Sequence, residues 1–175
     1  EETKRLNIEK EKKLELFLQQ SMRSFEIQTE VWNKLEDKAI NLMGFMGIIA
    51  TLIILGIEQI IKINSIRLQT IGIIIIIGIV LNTTIGAILA VSILNPLKFR
   101  ADPEVNNLKT DYENKKYLET INDLTNNIIE ASDENEKLNN EKSKRLKKLG
   151  YLVSLNFILV LLMILILSYS IFMVG

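Results

Sequence analysis

The segment "IGIIIIIGIVLNTTIGAIL", residues 71–89, decides the class of this chain. Five consecutive isoleucines, 73–77, lead within the same apolar run to Asn82, Thr83 and Thr84. Polar groups at the centre of a bilayer cost free energy unless they are paired. The triplet is therefore a transport site, part of a pore, or a contact between helices.

Outward from that run, two more segments are apolar enough to cross a bilayer, which takes about 20 helical residues. One is Ala39 to Ile57, "AINLMGFMGIIATLIILGI"; the other is Leu149 to Val174, "LGYLVSLNFILVLLMILILSYSIFMV". The middle one runs from Ile71 to Leu94, and none of the three carries a charge. A buried helix of a water-soluble protein would keep a polar face, and these spans have none. The expectation is an all-α membrane protein with three transmembrane helices and long cytoplasmic helical extensions forming a stalk. The first apolar run starts only near residue 39 and is flanked by charge, so it is not expected to be a cleaved signal peptide.

Of the 175 residues 48% are hydrophobic, and 21 basic side chains balance 21 acidic ones. A nucleic-acid binder would carry a basic excess, so no nucleic-acid partner is expected. Cysteine and histidine are absent, which removes disulfides, thiol nucleophiles, Ser–His pairs and histidine metal sites. The carboxylates lie in charge-mixed helical sequence with no loop to gather them around a cation. No enzymatic activity, metal or cofactor is expected.

Orientation follows from Lys and Arg placement. Only Lys62 and Arg67 lie between spans one and two, whereas Lys34, Lys38, Lys98, Arg100 and "KSKRLKK" (142–148) flank the other side. The N-terminus and residues 98–148 are expected in the cytoplasm, with the 58–70 loop and the C-terminus outside an inner (cell) membrane. Lys142, Lys144, Arg145, Lys147 and Lys148 set this topology and can also bind anionic headgroups, at about 1 kcal/mol per basic residue near the surface. Lys38 marks the stalk–membrane junction, where a lone lysine commonly snorkels to headgroups.

The chain divides into a cytoplasmic amphipathic helix (1–38) continuous with span one, a transmembrane hairpin (39–97), a cytoplasmic connector and helix (98–148), and a third span (149–175). Leu14, Phe17, Leu18, Ser21, Phe25, Gln28, Trp32 and Leu35 recur at the spacing of one helical face. Leu118, Ile121, Leu124, Ile128, Ala131 and Leu138 form a weaker stripe before span three. Each cytoplasmic segment could reach about 54 Å as a helix, so two helices running side by side are expected. Residues 95–112 would connect them, with Pro96, an Asp102 cap and Pro103 as punctuation. A hairpin near 125–127 or 132–135 is the rival. The stripes serve packing within one subunit, a coiled coil between subunits, or a partner's docking face.

In span two, Gly78, Asn82, Gly86 and Ala90 repeat every four residues on one narrow face. Small residues at this spacing let membrane helices approach closely, and polar ones bond across the contact. Gly44, Gly47 and Thr51 offer a counterpart in span one. Counted from the cytoplasmic ends, Thr51 and Asn82 each lie about 18 Å deep, and Gly47 and Gly86 about 12 Å. Spans one and two are expected to pack through this face, with Asn82 bonded to Thr51 or a nearby carbonyl. Asn156, counted as shallower, is not an expected partner. A pore ring at Asn82 and Thr83 between copies is the alternative.

The entry to span one, "WNKLEDKAINLMGFMGIIATLI" (32–53), resembles the Pycsar effector transmembrane (PycTM) family and the broader SLATT-type membrane effectors of prokaryotic defence. Pro96, the helix "DYENKKYLETI" (111–121) and the basic run before the last span continue the likeness from about residue 30 onward. The resemblance implies an oligomeric membrane effector of antiviral defence. Its cytoplasmic helices would relay a nucleotide signal that rearranges the spans and disrupts or permeabilises the membrane. The chain has no β-roll with a phosphate cassette, and three spans where SLATT-type proteins have two. The resemblance therefore leaves cyclic-nucleotide sensing to the stalk, an upstream segment or a separate sensor protein. Besides the lipid bilayer, the expected partner is a second copy of the chain. The alternatives are a structural scaffold docking a soluble partner on its stalk, and a weakly selective ion channel.

Overall fold

A computed structural model describes residues 2–95, 99–100 and 116–174. Pro96, Lys98 and the Asp102–Pro103 cap lie outside the described residues. The chain forms α1 (Glu2–Ile61), α2 (Ile66–Leu94) and α3 (Tyr117–Val174), and no strand occurs among the described residues. All three helices include a stretch long and apolar enough to cross a membrane.

No proline interrupts these helices, and Ala, Leu, Glu and Lys are strong helix formers. Exposed i,i+4 ion pairs join Lys13 to Glu9, Lys34 to Glu30 and Lys62 to Glu58. Solvent screens such exposed pairs, so they assist the helices only slightly. The helices outrun the apolar segments: α1 extends to Ile61 and α2 begins at Ile66, so the expected 58–70 loop is mostly helical. The Lys62 and Ile63 amides close the end of α1 on the Gln59 and Ile60 carbonyls, and Ser65, in extended conformation, starts α2. The loop is shorter than expected because charge ends a lipid-soluble run without ending a helix. Similarly, α3 runs unbroken through 125–127 and 132–135, which excludes a hairpin at either place.

The chain folds as two compact units: Glu1–Lys34 with Pro96–Glu141, and Leu35–Asn95 with Lys142–Gly175. In the first unit α1 and α3 lie side by side. Tyr117 donates to Glu15, the Ser24 and Ser132 hydroxyls are 2.9 Å apart, and Asn139 Nδ2 donates to the Gln28 carbonyl and side chain. The Trp32 and Phe99 rings meet at 4.5 Å, and Arg100 and Asn135 exchange backbone-to-amide hydrogen bonds. Leu18, Ser21, Phe25, Gln28 and Trp32 turn inward, whereas Phe17 stays 61% exposed. The core is polar in character: Ser21, Thr120, Thr125, Ser132, Asn135 and Asn139 are buried beside Trp32, Ile121, Ile128 and Ala131. Hydrophobic burial in this unit rests on these few apolar side chains, at about 1.5–3 kcal/mol for each large one.

The second unit is a three-helix bundle whose buried side chains are apolar except for Asn82, Lys142 and Asn156. One cluster gathers Ile49, Ile53, Ile60, Ile76, Ile79, Val160 and Met163; the other gathers Ala39, Met46, Ala90, Ile93, Leu149 and Val153. Burial recurs every seven residues, at Ala39, Met46, Ile53 and Ile60 of α1 and at Leu149, Asn156 and Met163 of α3. Outward faces such as Ile54, Leu81 and Leu165 are apolar and more than half exposed.

Candidate functional site: a polar layer among apolar helices

Between the two apolar clusters of the second unit lies one polar layer. Asn82 Nδ2 of α2 donates to Asn156 Oδ1 of α3 at 2.7 Å and to the Leu152 carbonyl at 2.8 Å. Asn156 Nδ2 in turn donates to Thr83 Oγ1 at 3.0 Å. Both amides are buried. Three side chains from two helices thus form a chain of hydrogen bonds in an otherwise hydrocarbon core, the arrangement that makes a polar group tolerable there.

This geometry corrects the expected partner of Asn82. Thr51 is exposed, and its hydroxyl bonds the Gly47 carbonyl of its own helix. A Cβ built on Gly86 would lie 2.7 Å from Met46 Sδ, and one on Gly72 2.9 Å from Ile60 Cδ1, contacts that put Asn82 level with Ala50. Thr51 is one residue on but rotated to the outside. Gly44 and Gly47 are also exposed, and a Cβ on either would meet nothing within 4 Å. Helix depth can be counted from sequence, but rotation depends on which face the third helix covers. Asn156 looks too shallow only when its depth is counted from Leu149, the first apolar residue of span three. The Gly86–Leu149 and Gly78–Leu159 approaches show α2 and α3 staggered, so Asn156 stands level with Asn82.

The remaining residues of the α2 face divide between the helices. Gly86 approaches Met46 of α1 and Leu149 of α3, Gly78 approaches Leu159 of α3, and Ala90 is fully buried in the second cluster. Thr84 is exposed and bonds the Val80 carbonyl.

At the start of the same unit, Lys142 departs from its expected place at lipid headgroups. Its side chain is fully buried, and Nζ donates to Glu36 Oε1 at 2.7 Å. Burial pushes the ammonium below the usual lysine value, while the Glu36 carboxylate opposes that shift. Arg145 is half-buried and donates to the Ser92 carbonyl. Lys144, Lys147, Lys148 and Lys38 are exposed, so the basic run presents three of its five charges outward.

No cluster of three or more acidic side chains able to hold a metal occurs among the described residues. The fold and this layer define a class: all-helical, with three helices long and apolar enough to span a membrane. No family of proteins, curated protein or solved structure matches the chain.

Proposed function

We propose that the chain is an oligomeric, multi-pass effector of an inner membrane, in which a signal received by the first unit rearranges α1 against α3 and opens the bundle. The observation that supports this most is the polar core of the first unit. Ser24–Ser132 and Gln28–Asn139 offer short, exchangeable hydrogen bonds, and Asn139 Oδ1 is buried with no partner among the described residues. An unsatisfied buried acceptor costs about 1–3 kcal/mol. Such a pair sits at the low end of stability and has little to lose by repacking as an alternative coiled-coil register. In this reading Asn82–Asn156 latches the spans, Lys and Arg placement keeps the N-terminus cytoplasmic and the C-terminus outside, and the signal is a nucleotide second messenger, in line with the PycTM resemblance.

Leakage of a small dye from anionic liposomes holding the purified protein, with and without a panel of cyclic nucleotides, tests this. Leakage triggered by one nucleotide supports the effector; intact liposomes throughout oppose it. A scaffold is the second reading, favoured by a groove of about 180 Å³ in the first unit, lined by Phe17, Gln20, Ser24, Ile129 and Asp133. A soluble helix could dock there, and protein that holds such a partner while its liposomes stay sealed would favour this reading.

A further inference from the structure

A cleft of about 410 Å³ opens between the last turns of α1 and α3 in the second unit. This is the size of a small-molecule site, typically some 300–1,000 Å³. Its walls are of two kinds. Ile63, Leu167 and Ile171 supply apolar surface, with Ile63 buried and Ile171 76% exposed. Gln59, Lys62, Asn64 and Ser170 supply amide, ammonium and hydroxyl groups at the rim. Lys62 Nζ turns one of its three N–H groups to Glu58 at 2.8 Å, in a pair exposed on both sides. That contact lowers the Glu58 carboxyl from its ordinary value.

The position of the cleft identifies what fits it. The neighbouring turns carry exposed apolar residues, Leu55 and Ile57 of α1 and Leu165 and Phe172 of α3. Glu58 and Lys62 are the first charges after the apolar run of α1. Acyl chain gives way to headgroup at such a boundary. A water-soluble anion would gain nothing from Leu167 and Ile171, and a hydrocarbon chain alone would leave the donors of Lys62, Gln59 and Asn64 unused. We propose that this cleft binds one phospholipid, its phosphate accepting from Lys62 and Asn64 and an acyl chain lying along Ile63, Leu167 and Ile171. The inference rests on the spanning part of the function proposed above and not on the effector step.

The full chain, reconstituted in liposomes, is first floated on a density gradient and then released into mild detergent for mass spectrometry of the intact complex. Samples contain phosphatidylglycerol, a phosphate-free glycolipid of the same chain length, or inorganic phosphate with detergent alone. One retained phosphatidylglycerol is expected, with no retained glycolipid or phosphate. Lys62→Gln removes the charged donor, and Leu167→Trp fills the cleft; each should lower retention about tenfold, the loss of one charge-assisted contact. Retention unchanged by both variants, equal retention of the glycolipid, or binding of phosphate without a chain would overturn the proposal. Failure to float would overturn the spanning reading itself.

Discussion

Asn156 Oδ1 accepts a 2.7 Å hydrogen bond from Asn82 Nδ2, joining α2 to α3 in a layer with apolar clusters on either side. Asn156 also donates to Thr83, so neither amide can be removed without stranding a partner. Hydrogen bonds between helices in membranes contribute about 0.6–2 kcal/mol each. Asn82→Leu and Asn156→Leu should each destabilise the bundle by about that amount, and the double substitution by less than their sum. Unfolding midpoints in detergent, taken around the double-mutant cycle, measure the coupling; strictly additive losses would show the amides independent.

Lys142, fully buried, is ion-paired with Glu36, whose side chain keeps 29% exposure. Removing one partner of a buried ion pair costs about 3–5 kcal/mol, whereas replacing both by apolar residues is often neutral. Because Glu36 is part-exposed, Glu36→Leu should lower thermal stability by less than that, and Glu36→Leu with Lys142→Met should recover most of the loss.

The same lysine sets a pH dependence. Its pKa is lowered in the folded protein, so above that value, and below the ordinary value of about 10.4, the unfolded chain binds more protons. Stability should rise with pH across this window as the buried ammonium is relieved of its charge. Thermal melts from neutral to alkaline pH should show the rise in the native chain and a flatter profile in Lys142→Met.

Glycines on the two faces should respond differently. A leucine at Gly86 must displace Met46 and Leu149, and overpacking of this kind costs about 1–3 kcal/mol. Leucine at Gly44 or Gly47 meets open space within one chain and should not destabilise it, since helix propensity favours leucine over glycine by up to about 1 kcal/mol. Melting of the three variants in detergent tests the difference, and a large loss at Gly44 or Gly47 would place a neighbour on that face.

The helices are legible in the three uncharged runs and the absence of proline within them, because an apolar run of that length has few other uses. The partners are less legible. Thr51 and Asn82 match on depth alone, and depth does not say which way a side chain is rotated around its helix. Lys142 and Asn156 carry a signal that a search for apolar stripes misses. Ile121, Ile128, Asn135, Lys142, Leu149, Asn156 and Met163 recur every seventh residue of α3, and all are buried. Counting the heptad without regard to polarity picks out both residues; tracing only the apolar members stops at Asn135. Asn139 Oδ1, without a partner among the described residues, has no counterpart in the sequence pattern, since it depends on how the Gln28 side chain is turned.

In the proposed mechanism α1 and α3 of the first unit move for the bundle to open. The Ser24 and Ser132 hydroxyls lie 2.9 Å apart, and the chain contains no cysteine, so Ser24→Cys with Ser132→Cys introduces one thiol pair within the chain, whose crosslinked product is separated by size from any crosslinked between copies. Dye leakage from liposomes containing this variant, oxidised and then reduced, is the measurement to make. Nucleotide-triggered leakage that is absent when the pair is oxidised and returns on reduction is the predicted result. Equal leakage in both states would contradict a relay through these helices.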